Sequence, residues 1–359
     1  MNLFIGQLWQ KPETIFLGIR PLLSTLDADH LSAEIQNVLD LFDIEKSKIV
    51  SVCSDGTPII TTAVGSLFGE GKHIQCMTLI LNSIIQDGLE DTSNPILLQL
   101  VKDVELILAN VTFTDSLDEE LIQLLSKKCY STTDRFVLAL PRITEVLTTT
   151  IFENVSFDNQ LIAEINKILA LFEAASREVL DNEQLTGSVA LPVVSCIKLA
   201  LQNMSPVHEG VKILRRKLLS SLTARTKNLS TNPLLCLATL CDPRFQKLYL
   251  SSFAADQSVA YCINEVTLHL RELRRSSRLF DGERTTTSKD SLLREMHDNN
   301  MEKGGFNSHV EADPGIVSQD EVNLYLRQEI LPRNADPVKF WLHSKGCMPS
   351  LSHVALKNL

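Results

Sequence analysis

The sequence predicts an α/β plus α fold: a short mixed region, then a long helical stretch, then a compact helical tail. Three observations carry this reading. Short β-branched runs alternate with amphipathic segments in the first 90 residues, the pattern of an α/β unit. Long apolar-periodic segments then succeed one another with almost no strand signal. Hydrophobic residues make up 44% of the 359 positions and aromatics only 6%, so Leu, Ile and Val dominate and favour helical packing. With 22% charged residues, the chain has material for a packed core and lacks the composition of a disordered protein.

Taken in order, "TIFLGIRPLL" is a β-branched and aromatic run that Pro21 ends, a short strand. From Ser32 to Phe42, Ile35, Val38, Leu39 and Phe42 recur at i, i+3, i+4 and i+7, one face of a helix. "KIVSVCS" reads as a buried strand. Pro58 then stands at a first helical position with Thr57 as its N-cap. "HIQCMTLILNSIIQDGL" is a strand entry into an apolar helix stopping near Gly88. These elements define an α/β region over 1–92. "NPILLQLVKDVELILANV", "DNQLIAEINKILALFEAASREVL" and "VALPVVSCIKLALQNM" set the texture of a helical domain over 93–280. Apolar residues then thin out through "DGERTTTSKDS" and "DNNMEKGGFNSHVEADPG", which reads as a flexible linker over 281–317. The tail, 318–359, has Asp336 before Pro337 as a helix start, and Leu351, Val354, Ala355 and Leu359 on one face of a last helix.

Several chemistries find no footing. The formal net charge of −10 argues against gripping nucleic acid through bulk charge. The local exception is "HLRELRRSSR", where Arg271, Arg274, Arg275 and Arg278 could touch phosphates or simply form a solvated helix face. The eight cysteines form no CxxC pair or zinc array, and they read as small buried hydrophobes. His73 and Cys76 make an HxxC, too small a ligand set for closed zinc. His208, His297, His309 and His353 have no partner pattern and are expected on solvated surface. No run reaches the roughly 18 apolar residues of a membrane span, and no cofactor or metal site is expected.

Two positions remain open. Asp55, in "IVSVCSDGTP", lies where a strand end meets a helix start, a place where α/β sheets hold ligands and hard cations. A lone acid there is also a common turn or cap residue, and two-metal phosphoryl transfer needs two or three converging acids. Trp341, with Phe340 and Leu342, forms the densest apolar knot in the tail. It must pack either on the rest of the chain or on another molecule.

Four stretches together resemble the hAT superfamily of DNA transposases, including the BED-finger host proteins derived from them. "VCSDGTPIITTAV" is similar to the segment headed by the family's second catalytic aspartate, at Asp55. "HIQCMTLILNSIIQDGL" is similar to its Cys-x-x-His-x-Leu-Asn run, with Cys76, Leu81 and Asn82 matching and Leu79 in place of the histidine. "NPLLCLATLCDPRFQK" is the most specific match, to a segment typically reading Ala-Thr-Leu-Leu-Asp-Pro-Arg-Phe-Lys. The tail resembles the C-terminal dimerisation region, with Tyr325, Leu326, Asp336, Pro337, Trp341, Pro349, Leu351 and Ala355 in register.

The resemblance implies a partial ribonuclease-H-like domain interrupted by a large all-helical insertion, with a C-terminal helical dimerisation segment. It implies an acidic triad of which this chain matches Asp55 alone, the first and third acids falling outside its sequence. Cys129 stands where the family has a tryptophan. The expectation is therefore an inactive, transposase-derived protein that dimerises through Tyr325, Leu326, Trp341, Pro349, Leu351 and Ala355. Its expected partner is its own copy or a related hAT-derived protein, its place the nucleus, its DNA contact weak, and its cofactors none. The alternative is an active transposase or nuclease whose missing acids come from sequence outside this chain.

Overall fold

The computed structural model describes residues 2–7, 13–19, 27–69, 71–110, 158–180, 187–282 and 313–359. Cys129, His297 and His309 lie outside the described residues, as does the side chain of Arg278. The chain forms two compact units, Met1–Leu235 and Cys236–Leu359.

In the first unit, β1 (Asn2–Gln7) and β2 (Glu13–Ile19) pair antiparallel. Helix α1 (Ala28–Leu41) begins at Asp27, whose carboxylate accepts the His30 N–H, satisfying one of the orphan amides of a helix start. Ile35, Val38 and Leu39 are buried as their spacing predicts, but Phe42 is exposed because the helix ends before it, with Phe42 as its C-cap. Strand β3 (Val52–Ser54) leads into α2 (Pro58–Phe68), and β4 (His73–Gln75) into α3 (Met77–Leu89). Pro58 occupies the first turn of α2, where its missing N–H costs nothing. Strands β3 and β4 pair in parallel, in register Val52 with His73, Cys53 with Ile74 and Ser54 with Gln75. The described residues thus carry two separate two-stranded sheets. Leu31, Ile35 and Leu39 of α1 pack on Ala63 of α2.

Among the described residues of this unit, helices α4 (Pro95–Asn110), α5 (Asn159–Leu180), α6 (Ala190–Asn203) and α7 (Glu209–Thr226) follow. Helix α3 packs on α5 and α7. At the α3–α7 crossing a Cβ on Gly88 would fall 2.7 Å from Leu218 Cδ2 and 2.8 Å from Leu214 Cδ1, so any larger residue would have to displace these two leucine side chains. Beside it, Arg225 grips Asp87 bidentately at 2.7 and 2.8 Å. Helix α3, which the sequence places in the α/β region ending at 92, packs on helices that follow that boundary. Apolar residues on its face, Ile80, Leu81, Ile84 and Ile85, are all buried.

Helix α8 (Pro233–Cys241) leads into the second unit, which adds α9 (Ser252–Gly282), α10 (Pro314–Leu326), α11 (Pro337–Ser344) and α12 (Pro349–Asn358). Helix α10 starts inside the stretch expected to be linker. Pro314 at its first turn and the Asp313 carboxylate accepting the Gly315 N–H at 2.9 Å make a complete start signal. Helix α11 starts at Asp336 as its sequence predicts, the carboxylate accepting the Val338 and Lys339 N–H groups. Leu351, Val354, Ala355 and Leu359 are buried together, in one cluster with Leu237, Leu240, Cys241, Cys262, Val266, Val322, Tyr325, Trp341 and Met348.

Candidate functional site

The carboxyl ends of β3 and β4 gather the chemistry of the first unit. The strand register sorts side chains onto two faces, because successive residues alternate and paired residues share a side. Ser54 and His73 fall on one face; Cys53 and the residue following β4, Cys76, fall on the other.

On the first face, Ser54 Oγ lies 2.7 Å from His73 Nε2, and the Gly56 N–H donates to the same hydroxyl at 3.1 Å. The hydroxyl keeps a second lone pair and its proton, so the Nε2 tautomer of His73 sets which of the two groups donates. Partial burial lowers the His73 pKa, against the opposing charge of Asp55. The turn after β3 is tight: Gly56 has φ +77°, and a Cβ there would lie 2.7 Å from Gln75 Cδ. Gln75 in turn donates through Nε2 to the Asp55 carbonyl at 3.1 Å.

Asp55 is exposed, and its Oδ1 accepts the Thr57 N–H at 3.0 Å. That is the turn reading left open by the sequence, and it explains how the strand is turned into α2. Thr57 makes no side-chain cap of its own; the neighbouring carboxylate takes over part of that work. Among the described residues no group of three or more His, Cys, Asp or Glu side chains stands close enough to hold a metal ion.

The opposite face holds a thiol pair. Cys53 is exposed and Cys76 half-buried, so neither is the buried hydrophobe expected of an isolated cysteine; a short two-stranded sheet does not enclose its faces. The interaction between the two thiols shifts both of their pKa values. Cys76 is also the N-cap of α3. Its thiol is held down to about 5, first by the neighbouring Cys53 thiol and then by the Leu79 and Thr78 N–H groups, against partial burial. The Cys53 thiol is pushed up, first by the neighbouring Cys76 and then by desolvation. The lowered thiol is the one at the helix start, where backbone N–H groups favour the charged form. Sequence spacing could not pair residues 53 and 76; the signal was there only for a reader who set "VCS" and "HIQC" side by side as parallel strands.

In the second unit, the residues matched to a dimerisation region are mostly interior. Tyr325, Trp341, Leu351 and Ala355 are fully or almost fully buried, Leu326 is half-buried against the same cluster, and only Pro349 is exposed. Of the two alternatives for Trp341, packing on its own chain describes it. Its Nε1–H donates to the Cys241 carbonyl at 2.8 Å, and the Tyr325 hydroxyl donates to the Leu240 carbonyl at 2.8 Å. The two rings lie 4.8 Å apart and tilted, within the range of a favourable aromatic pair.

The Asp-Pro-Arg-Phe segment is equally structural. Asp242 and Arg244 are buried and close on each other, Nε to Oδ1 at 2.9 Å and Nη2 to Oδ2 at 2.6 Å. The guanidinium stacks 5.0 Å from the Phe245 ring centre. A buried charge needs such pairing to be tolerated. Nearby, the buried Glu321 carboxylate of α10 accepts the Leu351 N–H of α12 at 2.7 Å and also bonds Ser350.

The histidines differ from expectation. His208 caps α7, its Nδ1 accepting the Gly210 N–H, and its Nε2 lies 3.3 Å from Asp158. His353 is stacked on His269 at 3.8 Å with parallel rings. On α9, Arg271 and Arg275 are exposed and Arg274 is half-buried. Their spacing sets them on one side of the helix.

No family model matches the chain. The chain is similar, at 23% identity over 361 aligned residues, to zinc finger BED domain-containing protein 4 of Homo sapiens, with 94% of this chain and 30% of that protein covered. The chain thus spans 30% of the length of the curated relative it matches. This is a distant relationship to a protein with a BED zinc finger, and it runs through nearly all of the chain.

Proposed function

We propose that this chain is a non-catalytic, hAT-transposase-derived protein whose C-terminal unit acts by self-association, in a nuclear, DNA-associated setting. Its first unit would be a partial ribonuclease-H-like domain carrying a helical insertion. Support for descent comes from the distant likeness to a BED zinc-finger protein together with the four matched segments. Support for the loss of catalysis comes from Asp55, whose carboxylate serves the turn into α2 and belongs to no group of three or more potential metal ligands among the described residues.

The observation that carries the association reading is an apolar stripe on α9. Phe253 is 73% exposed, Tyr261 40% and Leu268 51%. Steps of eight and seven residues at 100° each bring all three within one 80° sector of the helix. The association surface is therefore assigned to this stripe, with the buried Tyr325 and Trp341 supporting α9 from behind. The exposed arginines Arg271 and Arg275 continue the same helix and would give DNA contact that weakens steeply with salt.

Light scattering on a sizing column tests the reading. Wild type is expected to run as a dimer at micromolar concentration, and Leu268→Glu as a monomer with an unchanged circular dichroism spectrum. The same preparations are expected to leave supercoiled DNA intact with magnesium or manganese. A wild type that stays monomeric at high micromolar concentration sinks the association reading, and metal-dependent nicking that Asp55→Asn abolishes sinks the loss of catalysis.

A further inference from the structure

We propose that the exposed face of α9 is a self-complementary seam, through which two copies of the chain pair antiparallel about a two-fold axis at Asn264. This rests on the reading that α9 is the surface of self-association, and it adds the orientation, the register and the contacts. The spacing of exposed residues points to it. On either side of the exposed Asn264, exposed positions fall at equal distances: Ala260 and Leu268 four residues away, Gln257 and Arg271 seven, Phe253 and Arg275 eleven. All belong to the one helix. At about 100° per residue they lie within about 80° of arc. A period of 11 residues is about 3.67 per turn, so the row runs nearly straight along the helix. A row with mirror spacing fits its own copy when that copy is turned end for end about the centre, which is the isologous contact of a two-fold dimer.

The chemistry across the axis matches at each step. Asn264 meets the partner's Asn264, and each amide has both a donor and an acceptor to offer. A polar residue at the centre of a helix pair fixes its register. The small Ala260 leaves room for the partner's Leu268. Gln257 presents its amide oxygen to the guanidinium of the partner's Arg271, and Phe253 presents its ring face to the partner's Arg275. Asp256, also exposed, flanks the seam within one residue of the level of the partner's Arg271, so the acidic start of the row lies against its basic end. Parallel pairing would set Asp256, Arg271 and Arg275 each against its own copy, like charge on like. A register centred between Ala260 and Tyr261 would set Phe253 on the partner's Leu268. That register carries Arg271 and Arg275 past the start of the partner's α9 and parts Asp256 from both. Charge therefore selects the pairing about Asn264. Both arginines are occupied in the pair, so DNA and the second copy compete for them.

The experiment is disulfide mapping on the full chain, read by non-reducing electrophoresis and mass spectrometry of the linked peptides, with light scattering on the same samples. Wild type supplies the background from its own cysteines. Asn264→Cys is expected to give, on oxidation, a band of twice the chain mass joined through position 264. Gln257→Cys and Arg271→Cys should each give no such link alone. Their own copies lie about 21 Å apart along the helix axis, at about 1.5 Å per residue, beyond disulfide reach. Mixed in equal amounts, the two variants should link position 257 to position 271. Self-linkage of Gln257→Cys means parallel pairing and overturns the proposal. A link between positions 257 and 264 in mixed Gln257→Cys and Asn264→Cys, with none through 264 alone, overturns the register. A wild type that scatters as a dimer while none of these links form overturns the seam and leaves self-association standing. A wild type that stays monomeric at high micromolar concentration removes both.

Discussion

A thiol held near 5 behaves differently from a free one at mildly acidic pH. At pH 6, Cys76 is about nine-tenths thiolate, while an ordinary thiol near 8.5 is about 0.3% thiolate. That gain of about 300-fold is cut about 40-fold by the lower nucleophilicity of a more acidic thiol, leaving roughly an eightfold net advantage. Iodoacetamide should therefore alkylate Cys76 about eight times faster than a free cysteine peptide at pH 6, and the advantage should invert at pH 9. Cys53→Ser keeps a polar group beside Cys76, so Cys53→Ala is the variant expected to slow Cys76 at pH 6. None of this was legible in the linear sequence. Asp55 stands out in the sequence because a Gly-Thr-Pro turn after an apolar run is a local signal. Its neighbours Ser54, His73 and Cys76 gain their partners only from strand pairing across about twenty residues.

Elements were legible to the degree that their causes are local. Asp336 before Pro337 names its own helix start, and Leu351, Val354 and Ala355 name their own buried face. The start of α10 at Pro314 carried the same signal in Asp313, but polar neighbours on its N-terminal side masked it. Contacts between elements left no such mark. Trp341 on α11 and Glu321 on α10 are each held by a group on another helix, and their substitutions should act accordingly. Trp341→Ala removes a fully buried ring and its hydrogen bond and should cost about 3–5 kcal/mol. Glu321→Ala strips the acceptor from the first turn of α12, and one or two buried N–H groups left unmet should cost about 1–3 kcal/mol each. Chemical denaturation followed by tryptophan fluorescence and circular dichroism measures both. A Trp341→Ala variant as stable as wild type would mean that the ring is not interior.

Across the molecule as a whole, the histidines with the best-defined bearing on pH are His269 and His353 of the second unit. His269 and His353 both have lowered pKa values, burial being the first cause in each; for His269 the Glu272 charge opposes it and Lys357 adds to it, and for His353 the charges of His269, Lys357 and Lys345 add to it while Glu272 opposes it. The folded pair therefore takes up fewer protons than the unfolded chain as pH falls through the ordinary value of 6.5. Stability present above that pH is lost below it. The second unit is expected to have a lower denaturation midpoint at pH 5.5 than at pH 7.5, and His269→Gln should shrink that difference. Glu321 has the opposite sign: burial raises its pKa, so its protonation in the fold offsets part of the loss at still lower pH. A difference left unchanged by His269→Gln would assign the acid sensitivity to other groups.

The carbonyls at the end of α8 have a further consequence, which concerns time. Leu240 and Cys241 receive their side-chain donors from residues 85 and 100 positions further along the chain. At about 5–20 residues per second, a ribosome that has made Cys241 needs about 5–20 s more to make Trp341. For that interval the nascent helix ends in two acceptors that only water can serve, beside a hydrophobic surface whose covering has yet to be synthesised. The second unit can close only after nearly all of it has emerged. A chaperone that shields apolar surface would find its target there, in that window and not afterwards.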